Sequence, residues 1–434
     1  MTATPYQLCL ESMFKLRRFG IKLGLETVQG MLARIKNPHR HLRTIHIAGT
    51  NGKGSVATML ASILTSAGFK AGRYTSPHLE RFNERICIGN EPVSDEQVVA
   101  AYEQVRAAGA GLRQPTFFEY TTVMAFWIFA QEQVDWAVIE TGMGGRMDAT
   151  NVVHPAVSVI TNISLEHKSY LGRTIAAIAG EKAGIIKQAT PLVTAVAQPA
   201  ARKVIMQQAA EKKAAIYRHG YEFKTRREKN AFSYYGLDNR WRNLKLSLQG
   251  MHQIQNAALV LATCELLNRS RQVKLDQSSI RKGLEESRWP GRLEVISDRP
   301  LVVLDGAHNL ASARALSNHL KSAFSGRKIT LVVGILNDKP YQSILKYLIG
   351  PCSRVIITQP KIDRAIPAQE LARAAKMFDP NIEIVADVGQ AARYAISESR
   401  EDDVICIAGS LYVVGEARTA LLNQSIEPAN RFYF

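Results

Sequence analysis

The sequence predicts an α/β protein built from two doubly wound parallel-sheet domains. Three observations predict it. Apolar strand-like runs alternate with helical spacings along most of the chain. One such run, Thr44-Ile45-His46-Ile47-Ala48, feeds a glycine-rich loop and then a helix pattern. The alternation restarts after Arg288-Trp289-Pro290-Gly291-Arg292, where Pro-Gly cannot continue a helix. A length of 434 residues suits two or three domains.

The elements follow in order. Two helical stretches, broken at Gly20–Gly24, end at Asn37-Pro38. After the Thr44 run comes Gly49-Thr50-Asn51-Gly52-Lys53-Gly54-Ser55, then Val56, Met59, Leu60, Ile63 and Leu64 at helical spacing up to Gly68. Residues 117–131 read as an apolar, aromatic-rich helix. Residues 134–141, 156–162 and 191–195 read as buried strands, and 251–267 as a strong helix. Residues 224–245, basic and polar, read as a solvated hairpin or insertion. Beyond Arg292 the pattern predicts strands at 301–304, 329–333, 354–358, 382–385 and 404–408, with helices at 311–324, 341–348, 368–377 and 389–397. The division expected is 1–292 for a P-loop ATPase-type domain and 293–434 for a smaller Rossmann-like domain.

Composition narrows the function. The apolar fraction of 46% and charged fraction of 21% are globular values, not those of a disordered chain. The net charge of +17 points to anionic partners. No apolar run approaches the roughly 18 residues that span a bilayer, and the N-terminus, with Glu11, Lys15, Arg17 and Arg18, lacks a secretory apolar core. Cys9, Cys87, Cys264, Cys352 and Cys406 are scattered, odd in number and free of CxxC spacing. They fit small buried side chains in a reducing cytoplasm better than a disulfide framework or a zinc site.

Three clusters carry chemistry. The loop at 49–55 offers backbone N–H groups for phosphate oxygens, the Lys53 cation and the Ser55 hydroxyl. It misses the usual G-x-x-x-x-G-K-[ST] spacing, so its flanking strand and helix carry the assignment, against a glycine turn without function. Glu140 ends a buried strand before Gly142-Met143-Gly144-Gly145-Arg146, a place suited to holding Mg²⁺ with hard oxygen. Asp305-Gly306-Ala307-His308-Asn309 places polar groups where another strand ends, and a plain helix cap by Asn309 or Asp305 is the alternative.

Taken in order, these segments resemble the folylpolyglutamate synthases of the Mur ligase superfamily, in particular the bacterial members that also act as dihydrofolate synthases. The carriers are Ala48–Ser55, Thr75-Ser76-Pro77-His78-Leu79, Phe118-Glu119-Tyr120, the run from Glu140 to Asn151, Glu181-Lys182-Ala183-Gly184-Ile185, Pro290-Gly291-Arg292 and Asp305–Asn309. The G-T-N-G-K-G-[ST] form is that family's own, and the resemblance covers nearly the whole chain.

The resemblance implies ATP-dependent ligation of L-glutamate to dihydropteroate and to tetrahydrofolate polyglutamates through an acyl phosphate, in a cytoplasmic monomer binding neither nucleic acid nor membrane. It implies ATP contacts at Thr50, Asn51, Gly52, Lys53, Gly54, Ser55, Asn256, Arg292 and Asp305. It implies two Mg²⁺ sites involving Ser76, Glu140, His167 and Lys182, and a place for His308 near the glutamate or acyl phosphate. Lys53, Lys182 and His308 are the catalytic candidates. Ile21, Lys22, Leu23, Thr116, Phe117, Phe118, Glu119, Met147, Asp148 and Ala149 match segments that hold dihydropteroate. Lys182 would act as its CO₂ adduct, a carbamate; a surface lysine paired with Glu181 or Glu166 is the plainer alternative. Lys168 after His167, and Lys22, depart from the family pattern.

Three rivals remain: a monofunctional folylpolyglutamate synthase, a cell-wall Mur ligase and a nucleic-acid-binding P-loop ATPase. Only 43 residues precede the first strand, few for the UDP-binding domain of the second. No RNA- or DNA-binding signature supports the third.

Overall fold

In the computed structural model, residues 3–16, 20, 22, 24–271 and 273–422 are described. Two compact units divide the chain, one of Met1–Ser247 with Gln253–Arg288, the other of Leu248–His252 with Trp289–Phe434.

The first unit is built on an eight-stranded sheet. Its strands are β1 (Thr44–Ala48), β2 (Ala71–Tyr74), β3 (Ile86–Ile88), β4 (Glu91–Pro92), β5 (Trp136–Glu140), β6 (Val157–Ile160), β7 (Leu192–Thr194) and β8 (Ile216–Arg218), in the order β4-β3-β2-β5-β1-β6-β7-β8. Pairing is parallel from β2 to β8, and β3 and β4 close one edge as an antiparallel hairpin. Every residue of β1, β5 and β6 is buried, which explains their mainly apolar make-up, broken by His46 in β1 and Ser158 in β6. The chain leaves β1 toward one side and returns through β5 to cross to β6 on the other. The carboxyl ends of β1, β5 and β6 therefore flank a topological switch, where ligands bind in such sheets.

The helix Lys53–Ser66 follows β1 and is buried along nearly its whole length. The helix Gln277–Glu286 lies across it so closely that a Cβ on Gly283 would stand 2.5 Å from Ile63 Cα. The helix Phe117–Gln131 occurs at the residues its apolar pattern indicates, packed into a core with Tyr74, Phe82, Val98 and Ile139.

The segment 224–245 corrects the sequence reading. It forms a three-stranded antiparallel sheet, β9 (Lys224–Arg227), β10 (Phe232–Tyr235) and β11 (Arg240–Leu244), with Phe232, Tyr234, Trp241 and Leu244 buried. Charges at alternate positions mask the apolar face. Buried Glu265, from the helix Met251–Arg269, fastens this sheet by accepting from Tyr234 Oη at 2.7 Å and from the backbone N–H groups of Leu237, Asp238 and Asn239.

The second unit has a six-stranded sheet: β12 (Glu294–Asp298), β13 (Leu301–Leu304), β14 (Ile329–Val333), β15 (Arg354–Ile357), β16 (Ile382–Ile384) and β17 (Val404–Ala408), ordered β12-β13-β17-β14-β15-β16. β12, half exposed and without an apolar run, escapes the sequence pattern and pairs antiparallel to β13. The others are parallel, with helices at Leu310–Ala323, Tyr341–Ile349, Ala368–Ala375 and Val388–Ser397.

Gly283→Ala sets two effects against each other. Helix propensity favours Ala by about 1 kcal/mol, but overpacking against backbone atoms costs about 1–3 kcal/mol, and Ile63 Cα and N, at 2.5 and 2.6 Å, cannot swing aside. Chemical denaturation is expected to show a net loss. A gain in stability would mean that the two helices separate freely.

Candidate active site

The loop after β1 is held from β6. Thr50 N–H donates to Asn162 O at 2.9 Å, and Asn51 N–H to Asn162 Oδ1 at 3.0 Å. Asn51 O accepts from Thr161 Oγ1 at 2.7 Å and Asn162 Nδ2 at 3.0 Å, while Thr50 Oγ1 takes Ser164 N–H at 3.0 Å. Gly52 has φ +85°, and a Cβ there would meet Asn256 Oδ1 at 2.5 Å, so the turn needs glycine on both counts. Asn256 in turn donates to Gln253 Oε1 at 2.8 Å, and Gln253 Nε2 to Ser55 Oγ at 3.3 Å. Thr161, Asn162, Ser164 and Gln253 are site residues that sequence reasoning missed. Thr161, Asn162 and Ser164 are polar residues directly after buried β6, but nothing local in the sequence places that strand beside β1.

Lys53 opens its helix and curls back, Nζ donating to Gly49 O at 3.1 Å and Thr50 O at 3.4 Å, with Glu140 Oε1 at 3.8 Å. Buried Glu140, at the end of β5, also accepts from Ser76 N–H at 3.2 Å. Lys182 arrives from the helix Ile175–Ala183, and its Nζ donates to the same Gly49 carbonyl at 2.8 Å. Glu166 Oε1 lies 3.5 Å away. Lys182 is 1% exposed, which removes the surface-lysine reading, and Glu181 pairs instead with Arg146. Burial, and secondly the Lys53 charge, bring the Lys182 ammonium down to about 8, with Glu166 opposing.

The other expected residues fall out as follows. Gly54 and Ser55 lie in the first turn of the Lys53 helix. His167 is exposed, in left-handed backbone (φ 46°) before the one-turn helix Lys168–Leu171. Thr116 and Glu119 form a capping box for the helix Phe117–Gln131, and buried Glu119 also takes Arg113 Nη2 at 2.6 Å. Both side chains are thus committed to the helix start. Phe117 packs against Phe14 and Phe82, with the Arg85 guanidinium 5.1 Å from its ring; Phe118 stacks on Tyr74. Met147 is exposed, whereas Asp148 and Ala149 are buried. Lys22 is exposed, and Ile21 and Leu23 lie outside the described residues.

In the second unit, buried Asp305 follows β13 and accepts from Leu293 N–H at 3.0 Å and Ala307 N–H at 2.9 Å. Burial raises its pKa, and Arg292 pulls it back. Arg292 lies over Gly306, where a Cβ would meet Nη1 at 2.3 Å. His308 Nδ1 is 2.7 Å from Gly306 O. Asn309 caps the helix Leu310–Ala323, accepting from Ser312 N–H at 2.9 Å, as the plain alternative has it; Asp305 instead ties the β12 entry to the β13 exit.

Lys182 has a pH signature. Its folded pKa of about 8 lies below the ordinary ~10.4, so the unfolded chain binds more protons between those values. The penalty is complete below pH 8 and fades as pH rises to ~10.4. In CO₂-free buffer, Lys182→Met is expected to raise unfolding stability at pH 7 by on the order of 1–3 kcal/mol, an advantage that vanishes near pH 10.4. Equal stability of the two proteins at pH 7 would contradict the buried ammonium.

The chain matches the Mur ligase middle domain over residues 47–264 and the Mur ligase glutamate ligase domain over residues 291–411. It is 37% identical to the dihydrofolate synthase/folylpolyglutamate synthase of Bacillus subtilis, covering 93% of this chain and 96% of that one. It is 39% identical to the folylpolyglutamate synthase of Lacticaseibacillus casei, covering 90% and 93%. The Mycobacterium tuberculosis folylpolyglutamate synthase, solved with ADP and AMPPCP, superimposes with a TM-score of 0.90 at 34% identity, covering 98% of this chain and 100% of that one.

Proposed function

The chain belongs to the Mur ligase family, and from that premise we propose that it joins L-glutamate to dihydropteroate and to tetrahydrofolate polyglutamates in an ATP-dependent reaction. The observation that carries the proposal is the meeting of Lys53, Lys182 and Glu140 around Gly49, at the end of β1. The similarity to a protein named for both activities supports the bifunctional reading. The similar identity to one named for folylpolyglutamate synthesis alone keeps the monofunctional reading as the alternative.

The substrate carboxylate takes the γ-phosphoryl group of ATP, and the acyl phosphate is attacked by the glutamate amine. The tetrahedral adduct collapses to amide and phosphate. The start of the helix at Lys53 presents N–H groups and a positive dipole end to the phosphates. Lys53 offers its ammonium to the charge that builds on the γ-oxygens. Asn256, fixed by Gln253 against Gly52, borders the same loop. In the second unit, the family resemblance makes Arg292 and Asp305 candidate ATP contacts and His308 a candidate for the glutamate or acyl phosphate.

Two divalent-cation sites accompany this reading. The hard-oxygen pair of buried Glu140 and Ser76 fits Mg²⁺, since Glu140 is an anion whose neighbours are the Ser76 N–H and the Lys53 cation. His167 and Lys182 would hold the second. When bound, Mg²⁺ supplies neutralising charge to the phosphates. An ammonium cannot ligate a cation, so Lys182 serves as a carbamate. The neutral amine nitrogen adds to the carbon of CO₂, one C=O electron pair moves to oxygen, and the nitrogen releases a proton. Burial of Lys182 beside buried Ile178 and Ile185 favours the neutral amine this step needs.

The purified protein, given ATP, Mg²⁺ and glutamate, is expected to release ADP with either dihydropteroate or tetrahydrofolate. Lys53→Ala should lower kcat by about 10³-fold or more. No dihydrofolate from saturating dihydropteroate would leave the monofunctional reading, and near-normal turnover by Lys53→Ala would remove the phosphate-loop assignment. The carbamate has its own test. Lys182→Ala should be nearly inactive and partly restored by short-chain carboxylates; substantial activity without rescue would exclude it.

A further inference from the structure

His46 lies at the centre of β1, two residues before the phosphate loop's first strand ends. It is fully buried in the middle of the eight-stranded sheet, between Ile139 of β5 and Ser158 of β6. A buried imidazole is an expensive way to fill a strand position, and an aliphatic side chain would serve packing alone. Its Nδ1 finds no partner among the described residues, so one of its two ring nitrogens is used there.

That nitrogen is Nε2, 2.8 Å from Thr150 Oγ1. Thr150 Oγ1 donates its own proton to Asp148 Oδ1 at 2.5 Å, leaving the hydroxyl oxygen to accept from His46. Asp148 Oδ1 also accepts from Thr150 N–H at 3.0 Å, and Oδ2 from Met143 N–H at 2.8 Å. Burial raises the Asp148 pKa, and these hydrogen bonds oppose the rise. The donors give the chain its polarity: His46 Nε2–H to Thr150 and Thr150 O–H to Asp148, which also accepts the Met143 N–H. The loop so fixed starts directly after Glu140 and ends at Asn151, whose Nδ2 donates to Arg146 O and Gly184 O.

We propose that His46 is a positioning residue for the pterin substrate. Through Thr150 it fixes the carboxylate of Asp148 and the loop Met143–Asp148, and among the described residues makes no hydrogen bond to the phosphate loop itself. The inference rests on the functional reading above and adds to it a residue that does not touch substrate. The neutral Nε2–H tautomer is required, because a ring protonated at Nδ1 alone would turn a lone pair toward Thr150. Burial first, and the Lys187 charge second, hold the imidazole neutral down to about 3. Apart from Lys187, no charged group close to the ring acts on it in the described residues.

Four full-length variants test this: His46→Leu, His46→Gln, Thr150→Val and the double His46→Leu/Thr150→Val. His46→Leu and Thr150→Val should each raise KM for dihydropteroate about tenfold or more, as misplaced positioning groups do, with kcat and KM for ATP within about twofold of wild type. The double variant should be no worse than the poorer single one, because both break the same chain. His46→Gln, whose amide N–H can replace Nε2–H, should recover most of the loss. An unchanged KM for dihydropteroate, a matching rise in KM for ATP, or additive losses would overturn the proposal. If His46→Leu fails to fold, Thr150→Val and His46→Gln decide alone. The chain of hydrogen bonds is also read without turnover by ¹⁵N NMR. A neutral Nε2–H imidazole from pH 5 to 8, its Nε2 resonance shifted in Thr150→Val, is expected, and an Nδ1–H tautomer would overturn the relay. A wild type that ligates no pterin acid while showing the expected NMR signature would remove the functional reading and the substrate role together, leaving the relay as the fold's alone.

Discussion

Two lysine ammonium groups share one carbonyl oxygen, that of Gly49, and much of the first unit is arranged to make this tolerable. Lys53 and Lys182 reach it at 3.1 and 2.8 Å. Like charges so close, in a place shielded from water, repel strongly, and Glu140, Glu166 and Asp148 answer them. The arrangement suits a site made for anions. A triphosphate placed at the loop would meet two cations and a helix N-terminus at once. The same repulsion, added to burial, favours loss of a proton from Lys182. With its pKa at about 8, roughly a quarter of the side chain is neutral amine at pH 7.5, against about one part in a thousand for an ordinary lysine. Conversion to a carbamate would replace a repulsion with an attraction to Lys53.

This crowding depends on the sheet order. Gly49 follows β1, Glu140 ends β5 and Thr161 and Asn162 follow β6, and these are three neighbouring strands. Parallel pairing brings their carboxyl ends to one edge, so groups 64 and 111 residues apart in sequence meet within hydrogen-bond reach. Residues of the loop after β5 then reach back to the middle of β1 through His46 and forward to the helix of Lys182 through Arg146 N–H and Glu181 O. The glycine loop, Glu140 and the loop after β5 are thus tied together across the adjacent strands β1 and β5.

What was legible in the sequence was what is local. Thr44–Ala48, the glycine loop and the helix from Lys53 sit next to one another, so strand, turn and helix period could be read together. The parallel strands of the second unit were equally plain, because buried strands are continuous apolar runs. The clamp from Thr161, Asn162 and Ser164 could not be read, since nothing in a local pattern says which strand will lie beside which. The basic segment 224–245 was misjudged for a different reason: one face of its sheet is charged, and alternation hid the aromatic face from a composition argument. Thr116 and Glu119 carried a readable signal of another kind, because T-x-x-E before an apolar run is a helix start, and their side chains are spent on it.

The pattern of hidden polar residues has a physical reading of its own. Glu265, Glu119 and Asp148 are all buried carboxylates, yet Glu265 accepts the N–H groups of Leu237, Asp238 and Asn239, Asp148 those of Met143 and Thr150, and Glu119 that of Thr116. Such an acceptor substitutes for water and fixes a turn that has no regular ladder to hold it. Glu140 differs. It receives the Ser76 N–H and faces Lys53, but it closes no turn of its own. The Lys53 ammonium and the Ser76 N–H set Glu140 beside the phosphate loop, at the carboxyl end of β5, where it meets a cation rather than closing a turn. Glu265, Glu119 and Asp148 instead fasten the frame around it.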